Sequence, residues 1–331
     1  MAKNIVIFSD GTGQEGGKGT NSNVYKLFNM IEDRTDRQVA FYDRGLGTGW
    51  RKLTGKAFGA GISKNIRDCY RFLFDHFQSG DKVYLLGFSR GAFTVRSLSG
   101  FINMFGILPK SRPELIKQAY RIYKKSQGAR RDKLAADFLA RHHNMWCEIE
   151  FLGVWDTVKA LGSPIKLANI IIPKKNEFHD ATISPSVVYG AHALAIDDLR
   201  KNFHPTFWDE REAEPGQIKQ VWFAGMHSDV GGGYADAGLS DFALRWMIDQ
   251  GKSRGLLIWD NRDKAVKGDS TGKLHDSRAG WGRMYPKKER RLTEEIIKPV
   301  LHQSVIDRHN NEDMAYDPWI FKVNGGYDIE P

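Results

Sequence analysis

The sequence has little cysteine and no long apolar run. Cys69 and Cys147 are the only cysteines among its 331 residues, and two cysteines supply neither a disulfide framework nor a cysteine-rich metal site. No stretch approaches the length of a membrane-spanning helix, and the N-terminus lacks the charged start, apolar centre and cleavage site of a signal peptide. We therefore expect a chain that is cytoplasmic as synthesised, with signal-independent secretion as the alternative fate.

Long runs of basic residues are also missing. The chain carries 49 Lys and Arg against 40 Asp and Glu, a net charge of +9, but its basic residues come in pairs such as 130–131 and 287–288. No nucleic-acid-binding motif accompanies them, so we predict no nucleic-acid partner. The positive balance instead favours a negatively charged partner, such as an anionic membrane surface.

A complete phosphate-binding loop is absent as well. Residues 12–20, TGQEGGKGT, contain glycines and a lysine, but Lys18 is followed by Gly19 where the P-loop motif requires Ser or Thr. From the sequence we predict no nucleotide, cofactor or metal site.

The most informative segment is residues 82–100, KVYLLGFSRGAFTVRSLSG. Its first half is a short apolar run typical of a buried strand, and its second half spaces apolar residues as a helix does. Between them lies GFSRG, a GxSxG sequence centred on Ser89, whose glycines permit the sharp turn of a nucleophile elbow. This context predicts that the Ser89 hydroxyl stands above the end of a strand as a nucleophile.

Backbone donors for a developing oxyanion are predicted on two loops. Arg90 begins the helix after Ser89, so its N–H is expected to point toward the oxyanion. The first predicted strand, residues 4–8, ends at the loop SDGTG, where the N–H groups of Gly11 and Thr12 are candidates for the second half of the oxyanion hole.

A serine nucleophile also needs a histidine as base and a carboxylate to orient that histidine. In α/β-hydrolases the three occur in the order Ser, acid, His along the chain. Asp156 follows one predicted strand, and His227 follows another beside three glycines. This order predicts a triad of Ser89, Asp156 and His227.

A second assignment keeps the same chain order. It pairs Ser89 with Asp229 as the acid and His302 as the base. We prefer Asp156 and His227 because both directly follow predicted strands, where catalytic side chains of α/β proteins lie.

The order of the predicted elements indicates an α/β-hydrolase-like fold, with a mostly parallel central sheet and helices on both faces. We expect one domain over residues 1–331, with a helical insertion at about 111–143 and a polar surface excursion at about 254–291. We also predict helices over residues 187–200 and 293–308 and a short strand over residues 319–321.

Six motifs, in chain order, resemble those of a known family. They are FSDGTG, YDRGLGTG, GFSRGAFTVRSLSGFI, FLGVWDTV, HALAIDDLRKNFHPTFW and FAGMHSDVGGGYADAGLSDFALRWM, and they span roughly residues 3 to 250. Together they resemble the uncharacterised α/β-hydrolase domain family that includes the Tle-type phospholipase effectors of bacterial type VI secretion.

The resemblance implies an esterase that acts on glycerophospholipids, with Ser89 as nucleophile, Asp156 as acid and His227 as base. If the protein is an effector, an immunity or delivery protein is an expected partner. The alternatives are an esterase that acts on soluble or polymeric esters and a hydrolase-like binding module without catalysis.

Overall fold

The computed structural model describes residues 2–11, 13, 16–17, 19–45, 55–125, 128–158 and 182–331. Its centre is an eight-stranded parallel sheet in the order β2-β1-β3-β4-β5-β6-β7-β8. The strands are β1 Asn4–Ser9, β2 Gln38–Asp43, β3 Lys82–Phe88, β4 Ile149–Trp155, β5 Gly190–Ala195, β6 Ile218–Phe223, β7 Val300–His302 and β8 Asp328–Glu330.

Helices join most of these strands. They are α1 Asn23–Phe28, α2 Gly55–His76, α3 Arg90–Phe105, α4 Leu115–Lys125, α5 Gly128–Leu139, α6 His227–Gly231, α7 Gly238–Ser253 and α8 Gln303–Asn310. Within the described residues, no helix combines the length and the apolar character needed to cross a membrane.

The inner strands β1, β3, β4 and β5 are buried on both faces, which explains why they are mostly apolar runs. Ile5 and Ile7 of β1 belong to a core that includes residues of α2, α3, α4 and α5. Val6 and Phe8, which alternate with them, belong to the core on the other face, with residues of α1 and α7. This alternation places helices on both faces, and the predicted α/β-hydrolase-like fold class is confirmed.

The strand order reverses direction beside β1. The chain runs from β1 outward to β2 and then returns to β3 on the other side of β1. In open α/β sheets such a switch point leaves a crevice at the carboxyl ends of the two strands, where ligands bind. The loop after β1 and the turn after β3, which carry the predicted oxyanion and nucleophile residues, meet at this crevice.

The helix predicted over residues 187–200 is wrong, because β5 occupies Gly190–Ala195. Its sequence GAHALA is buried throughout and pairs in parallel with β4 and β6. A short apolar run has no periodicity that separates a buried strand from a helix, and alanine favours the helix in isolation. Burial between two neighbouring strands decided the outcome.

Two predictions near the C-terminus are also wrong. Residues 293–308 are not one helix, because β7 at Val300–His302 precedes α8. The segment Trp319–Lys322 is a 3₁₀-helix, and the strand of this region is β8. Both strands pair at the edge of the sheet through contacts that are remote in sequence.

The helical insertion predicted at about 111–143 and the surface excursion predicted at about 254–291 stay predictions. Residues 111–143 contain helices α4 and α5, which contact each other and α3. Residues 254–291 contain only short 3₁₀-helices as regular structure, at Asp263–Ala265 and Gly280–Met284. The single-domain assignment stays a prediction.

Candidate active site

Ser89 lies at the turn between β3 and α3. Its backbone has φ 58° and ψ −119°, a conformation that is unfavourable for a residue with a Cβ atom. The Ser89 N–H donates to the carbonyl oxygen of Trp155 (3.0 Å), and the Ser89 carbonyl oxygen accepts from Phe93 N–H (3.2 Å). These bonds hold the strained turn between β4 and the first turn of α3.

The two glycines of GFSRG are required by close backbone contacts. A Cβ atom on Gly91 would lie 1.9 Å from the carbonyl oxygen of Ser9, and one on Gly87 would lie 2.6 Å from the carbonyl oxygen of Gly91. No larger residue fits at either position without a backbone shift. The loop after β1 and the turn after β3 are therefore in direct contact.

His227 connects Ser89 to Asp156 through hydrogen bonds at both ring nitrogens. Its Nε2 lies 2.8 Å from Ser89 Oγ, and its Nδ1 lies 2.5 Å from Asp156 Oδ2. The structure thus brings together the three residues of the preferred assignment, although they are far apart in sequence. Asp156 is fully buried, and only 5% of Ser89 and 4% of His227 are exposed.

Arg290 is a fourth member of this cluster that sequence reasoning missed. Its two terminal nitrogens donate to the two oxygens of Asp156, at 2.6 and 2.8 Å, and also to the carbonyl oxygens of Ala195 and Phe203. The side chain is fully buried. In the sequence it belongs to the basic segment KKERR, which is typical of a solvated surface, so no local pattern indicates its burial.

The charges in this cluster favour an ionised carboxylate beside a neutral imidazole. Burial alone would raise the pKa of Asp156, but the Arg290 guanidinium outweighs burial and holds that pKa well below its usual value. Burial lowers the pKa of His227, and the Asp156 carboxylate offsets this only in part. Because ionised Asp156 can only accept, Nδ1 of His227 carries the proton and Nε2 is free to accept one from Ser89.

Aromatic rings and a second carboxylate fix the His227 ring and backbone. The ring lies 4.6 Å from the ring of Phe88 and 5.0 Å from that of Phe203, measured between centroids. The Arg200 guanidinium covers Phe203 at 3.5 Å. Asp198 accepts from Arg200 and from the backbone N–H of His227 (3.3 Å). The imidazole therefore has little freedom to rotate away from Ser89.

The residue after Asp156 is held by a buried histidine. His192 of β5 is fully buried, and its Nε2 accepts from the backbone N–H of Thr157 (3.1 Å). Asp156 itself has φ 39°, so its backbone needs such support. Burial lowers the pKa of His192 to about 3, so it stays neutral and keeps this acceptor.

The residues of the second assignment have other partners. Asp229 accepts from His275, through the backbone N–H (3.0 Å) and through Nδ1 (2.6 Å). His302 bonds to Ser304, through its Nδ1, and stacks on Phe223. No hydrogen bond joins Asp229 to His302 in the described part of the chain.

Two of the predicted oxyanion donors, Arg90 and Gly11, lie beside Ser89. Arg90 is the first residue of α3. A Cβ atom on Gly11 would lie 3.5 Å from Ser89 Cβ, so this loop borders the serine, but the Gly11 N–H donates to Oδ1 of Asp10 (2.7 Å). Thr12 lies outside the described residues.

A metal centre has no evident place in the described segments, which contain no cluster of three or more His, Cys, Asp or Glu side chains suited to hold an ion.

The fold and the cluster at its switch point define an α/β-hydrolase-like protein. The sequence profile of the catalytic domain of Tle1-like type VI secretion phospholipase effectors matches residues 3–250. The chain therefore belongs to this family. The match includes Ser89, Asp156 and His227 and ends before Arg290.

Three known proteins are similar to parts of this chain. The uncharacterized protein YEL023C of Saccharomyces cerevisiae is 29% identical over 228 residues, which are 61% of this chain and 32% of the yeast protein. The crystal structure of an uncharacterized protein from Pseudomonas aeruginosa has 15% identity and a TM-score of 0.46, and the match covers 81% of this chain and 49% of that one. The structure of the Tle1 effector bound to the VgrG spike has 18% identity and a TM-score of 0.41, and the match covers 72% of this chain and 52% of that one. The chain thus spans about a third to a half of the length of these relatives.

Proposed function

We propose that this protein hydrolyses carboxylic esters through an acyl-enzyme on Ser89 and that glycerophospholipids are its substrate class. The observation that carries the proposal is the continuous hydrogen-bond chain from Ser89 Oγ through His227 to Asp156. Family membership supports a phospholipase or esterase activity in general. The hydrogen-bond chain supports the role that we propose for each residue.

In the acylation step Ser89 Oγ attacks the ester carbonyl carbon while His227 Nε2 takes the hydroxyl proton. The tetrahedral intermediate carries its negative charge on the former carbonyl oxygen. When the intermediate collapses, the imidazolium gives its proton to the leaving alcohol, and the acyl group stays on Ser89. Water then repeats the sequence, with His227 again as the base, and releases the carboxylic acid.

The oxyanion is assigned to backbone N–H groups on the two loops that meet at Ser89. Arg90 is the first donor, because the N-terminus of the 16-residue helix α3 favours negative charge. The loop of Gly11 and Thr12 is the second. The Gly11 N–H must leave Asp10 to serve here, and burial raises the pKa of Asp10 to about 6, so this carboxylate is a weaker acceptor in mildly acidic solution.

Asp156 and Arg290 act as positioning residues. Asp156 fixes the proton on Nδ1 of His227 and stabilises the imidazolium that forms in each step. Arg290 keeps Asp156 ionised in a buried setting. Neither residue exchanges a proton with the substrate.

Labelling with a fluorophosphonate tests the nucleophile and the base together. We expect the parent protein to label, and Ser89→Ala and His227→Ala not to label. His302→Ala is the matched control and should label at the parent rate. If His302→Ala does not label and His227→Ala does, the second assignment is correct. If the parent protein never labels, the site binds without catalysis.

Hydrolysis assays on phospholipid vesicles and on a short soluble ester then test the substrate class. A phospholipase should turn over the vesicle substrate faster and gain rate at the lipid interface. Equal or better turnover of the soluble ester would favour the esterase alternative. Because the family includes type VI secretion effectors, a delivery partner stays among the predictions for this chain.

A further inference from the structure

A cavity of about 260 Å³ lies beside α3, and none of the residues that line it belongs to the cluster of Ser89, His227, Asp156 and Arg290. Its walls come from α3, α4, α5, the segment 182–185 and Trp208. Nothing in the proposed ester hydrolysis uses this cavity. Its chemistry differs from that of an ordinary packing defect, which is lined by apolar side chains.

The first notable lining residue is Arg96 of α3. Its guanidinium donates to the carbonyl oxygens of Thr206 (2.5 Å) and Phe207 (3.1 Å) and covers the ring of Trp208 at 4.8 Å. Only 6% of Arg96 is exposed. Its hydrogen bonds all go to neutral carbonyl groups, and burial lowers its pKa to about 9. A buried cation without a carboxylate on it is costly, and an anion would offset that cost.

The second notable residue that lines the cavity is Arg131 of α5. Its Nε atom is buried and has no hydrogen-bond partner in the described residues. The carboxylate of its neighbour Asp132 forms a long ion pair with this nitrogen at 3.6 Å, beyond hydrogen-bond distance, and 62% of the Asp132 side chain is exposed to water. Arg131 therefore brings an incompletely satisfied guanidinium to the same cavity as Arg96.

The rest of the lining divides into polar and apolar parts. Asn103 and Ser184 offer neutral donors, whereas Met104, Ile183 and Trp208 offer apolar surface. No Asp or Glu is among the described residues that line the cavity. Two positive charges without a lining carboxylate favour an anion, and the apolar wall favours a hydrocarbon group attached to it.

We propose that this cavity is a binding site for a small amphiphilic anion, a phosphate or carboxylate group on a short apolar chain. The guanidinium groups of Arg96 and Arg131 bind the anionic group, and the wall at Trp208 contacts the chain. The proposal does not depend on catalysis at Ser89.

Calorimetric titration of the Ser89→Ala protein tests the proposal without turnover. The probes are octyl phosphate, octanoate, inorganic phosphate and the neutral octanol, each below its micelle concentration. We expect saturable binding of at least one octyl anion, weaker at high salt, and weaker binding of octanol and of inorganic phosphate. The two octyl anions distinguish a phosphate from a carboxylate ligand.

Variants locate the binding. Arg131→Gln should weaken the affinity for the octyl anion by about tenfold or more, since a charged hydrogen bond is lost. Arg130→Gln, an exposed arginine beside it on α5, is the matched control and should bind as the parent does. Asn103→Leu, which narrows the polar part of the cavity, should also weaken binding. No binding of either anion, equal binding of octanol, or unchanged binding by Arg131→Gln in a folded protein would overturn the proposal.

Discussion

Two aspartate–histidine pairs involve helix α6. Each pair has a carboxylate–imidazole hydrogen bond, but the surroundings of the two bonds differ. Asp156 Oδ2 lies 2.5 Å from His227 Nδ1, and Asp229 Oδ1 lies 2.6 Å from His275 Nδ1. His227 has Ser89 on its other nitrogen, whereas the His275 ring stacks on Tyr234 at 3.8 Å and its side chain is 16% exposed.

The two carboxylates also carry opposite pKa shifts. Burial raises the pKa of Asp229, and its bonds to His275 and Met226 only partly oppose this. Asp156 is more deeply buried, yet its pKa is lowered because Arg290 binds both its oxygens. The same carboxylate–imidazole hydrogen bond therefore occurs in two different settings. The pairs differ in the neighbour of the imidazole, Ser89 for His227 and Tyr234 for His275, and in the Arg290 counter-charge on Asp156.

The largest expected effect comes from breaking the first pair at its histidine. His227→Ala should lower kcat on a soluble ester by about 10⁶-fold, because members of a catalytic triad act as a unit. Steady-state hydrolysis with purified protein measures it. A loss of less than about tenfold would mean that another group serves as the base.

Asp156→Asn should cost about 10⁴-fold in kcat, because an amide does not hold the Nδ1 proton of His227 in the required tautomer. The matched variant is Asp229→Asn in the second pair, assayed in parallel. It should lose far less activity, since no hydrogen bond joins the Asp229 side chain to Ser89 or to the His227 ring in the described residues. Equal losses in the two variants would remove the distinction between the pairs.

Arg290→Met tests the positive charge that the Arg290 guanidinium places on the Asp156 carboxylate. It leaves Asp156 buried without its guanidinium, so the free energy of unfolding should fall by about 3–5 kcal/mol. Chemical denaturation measures this, and Arg291→Met, an exposed neighbour, should be near neutral. In the folded fraction of Arg290→Met the pKa of His227 should rise, because a nearby positive charge is gone.

The pH dependence of kcat/KM tests the role of His227 in the unmutated protein. The pKa of His227 lies below the usual 6.5, so its neutral form persists into mildly acidic solution. We expect kcat/KM to fall on the acid side with an apparent pKa below 6.5, as His227 takes up a proton and no longer accepts one from Ser89. An acid limb at or above 6.5 would contradict the burial argument.

The smallest effect is expected from the second histidine. His275→Gln removes an imidazole that is bonded to Asp229 but lies outside the hydrogen-bond chain of Ser89, so kcat should change by less than about tenfold and the acid limb should stay in place. Parallel pH profiles of this variant and the parent protein provide the check. A displaced acid limb would show that the two pairs are coupled through α6.

Much of the site could be predicted because its signals are local. The apolar run before Ser89 and the helical spacing after it predict a strand, a turn and a helix, and the structure has β3, the turn and α3 at those places. Asp156 directly follows β4, and His227 lies four residues after the end of β6, as the apolar runs before them indicate. The helix predicted over β5 failed because GAHALA carries no periodicity of its own, and its neighbours in the sheet decided its conformation.

The class of sheet, the turn at Ser89 and a short list of acids and histidines follow from local sequence patterns, since each depends on residues within one or two elements. These patterns left two assignments of the acid and base open. The folded chain brings His227 to Ser89, and it places Arg290 on Asp156, across 134 residues of chain. The physical reason is that a buried ion pair forms where the folded backbone brings two charges together and excludes water, and no local pattern in a basic surface segment encodes that meeting.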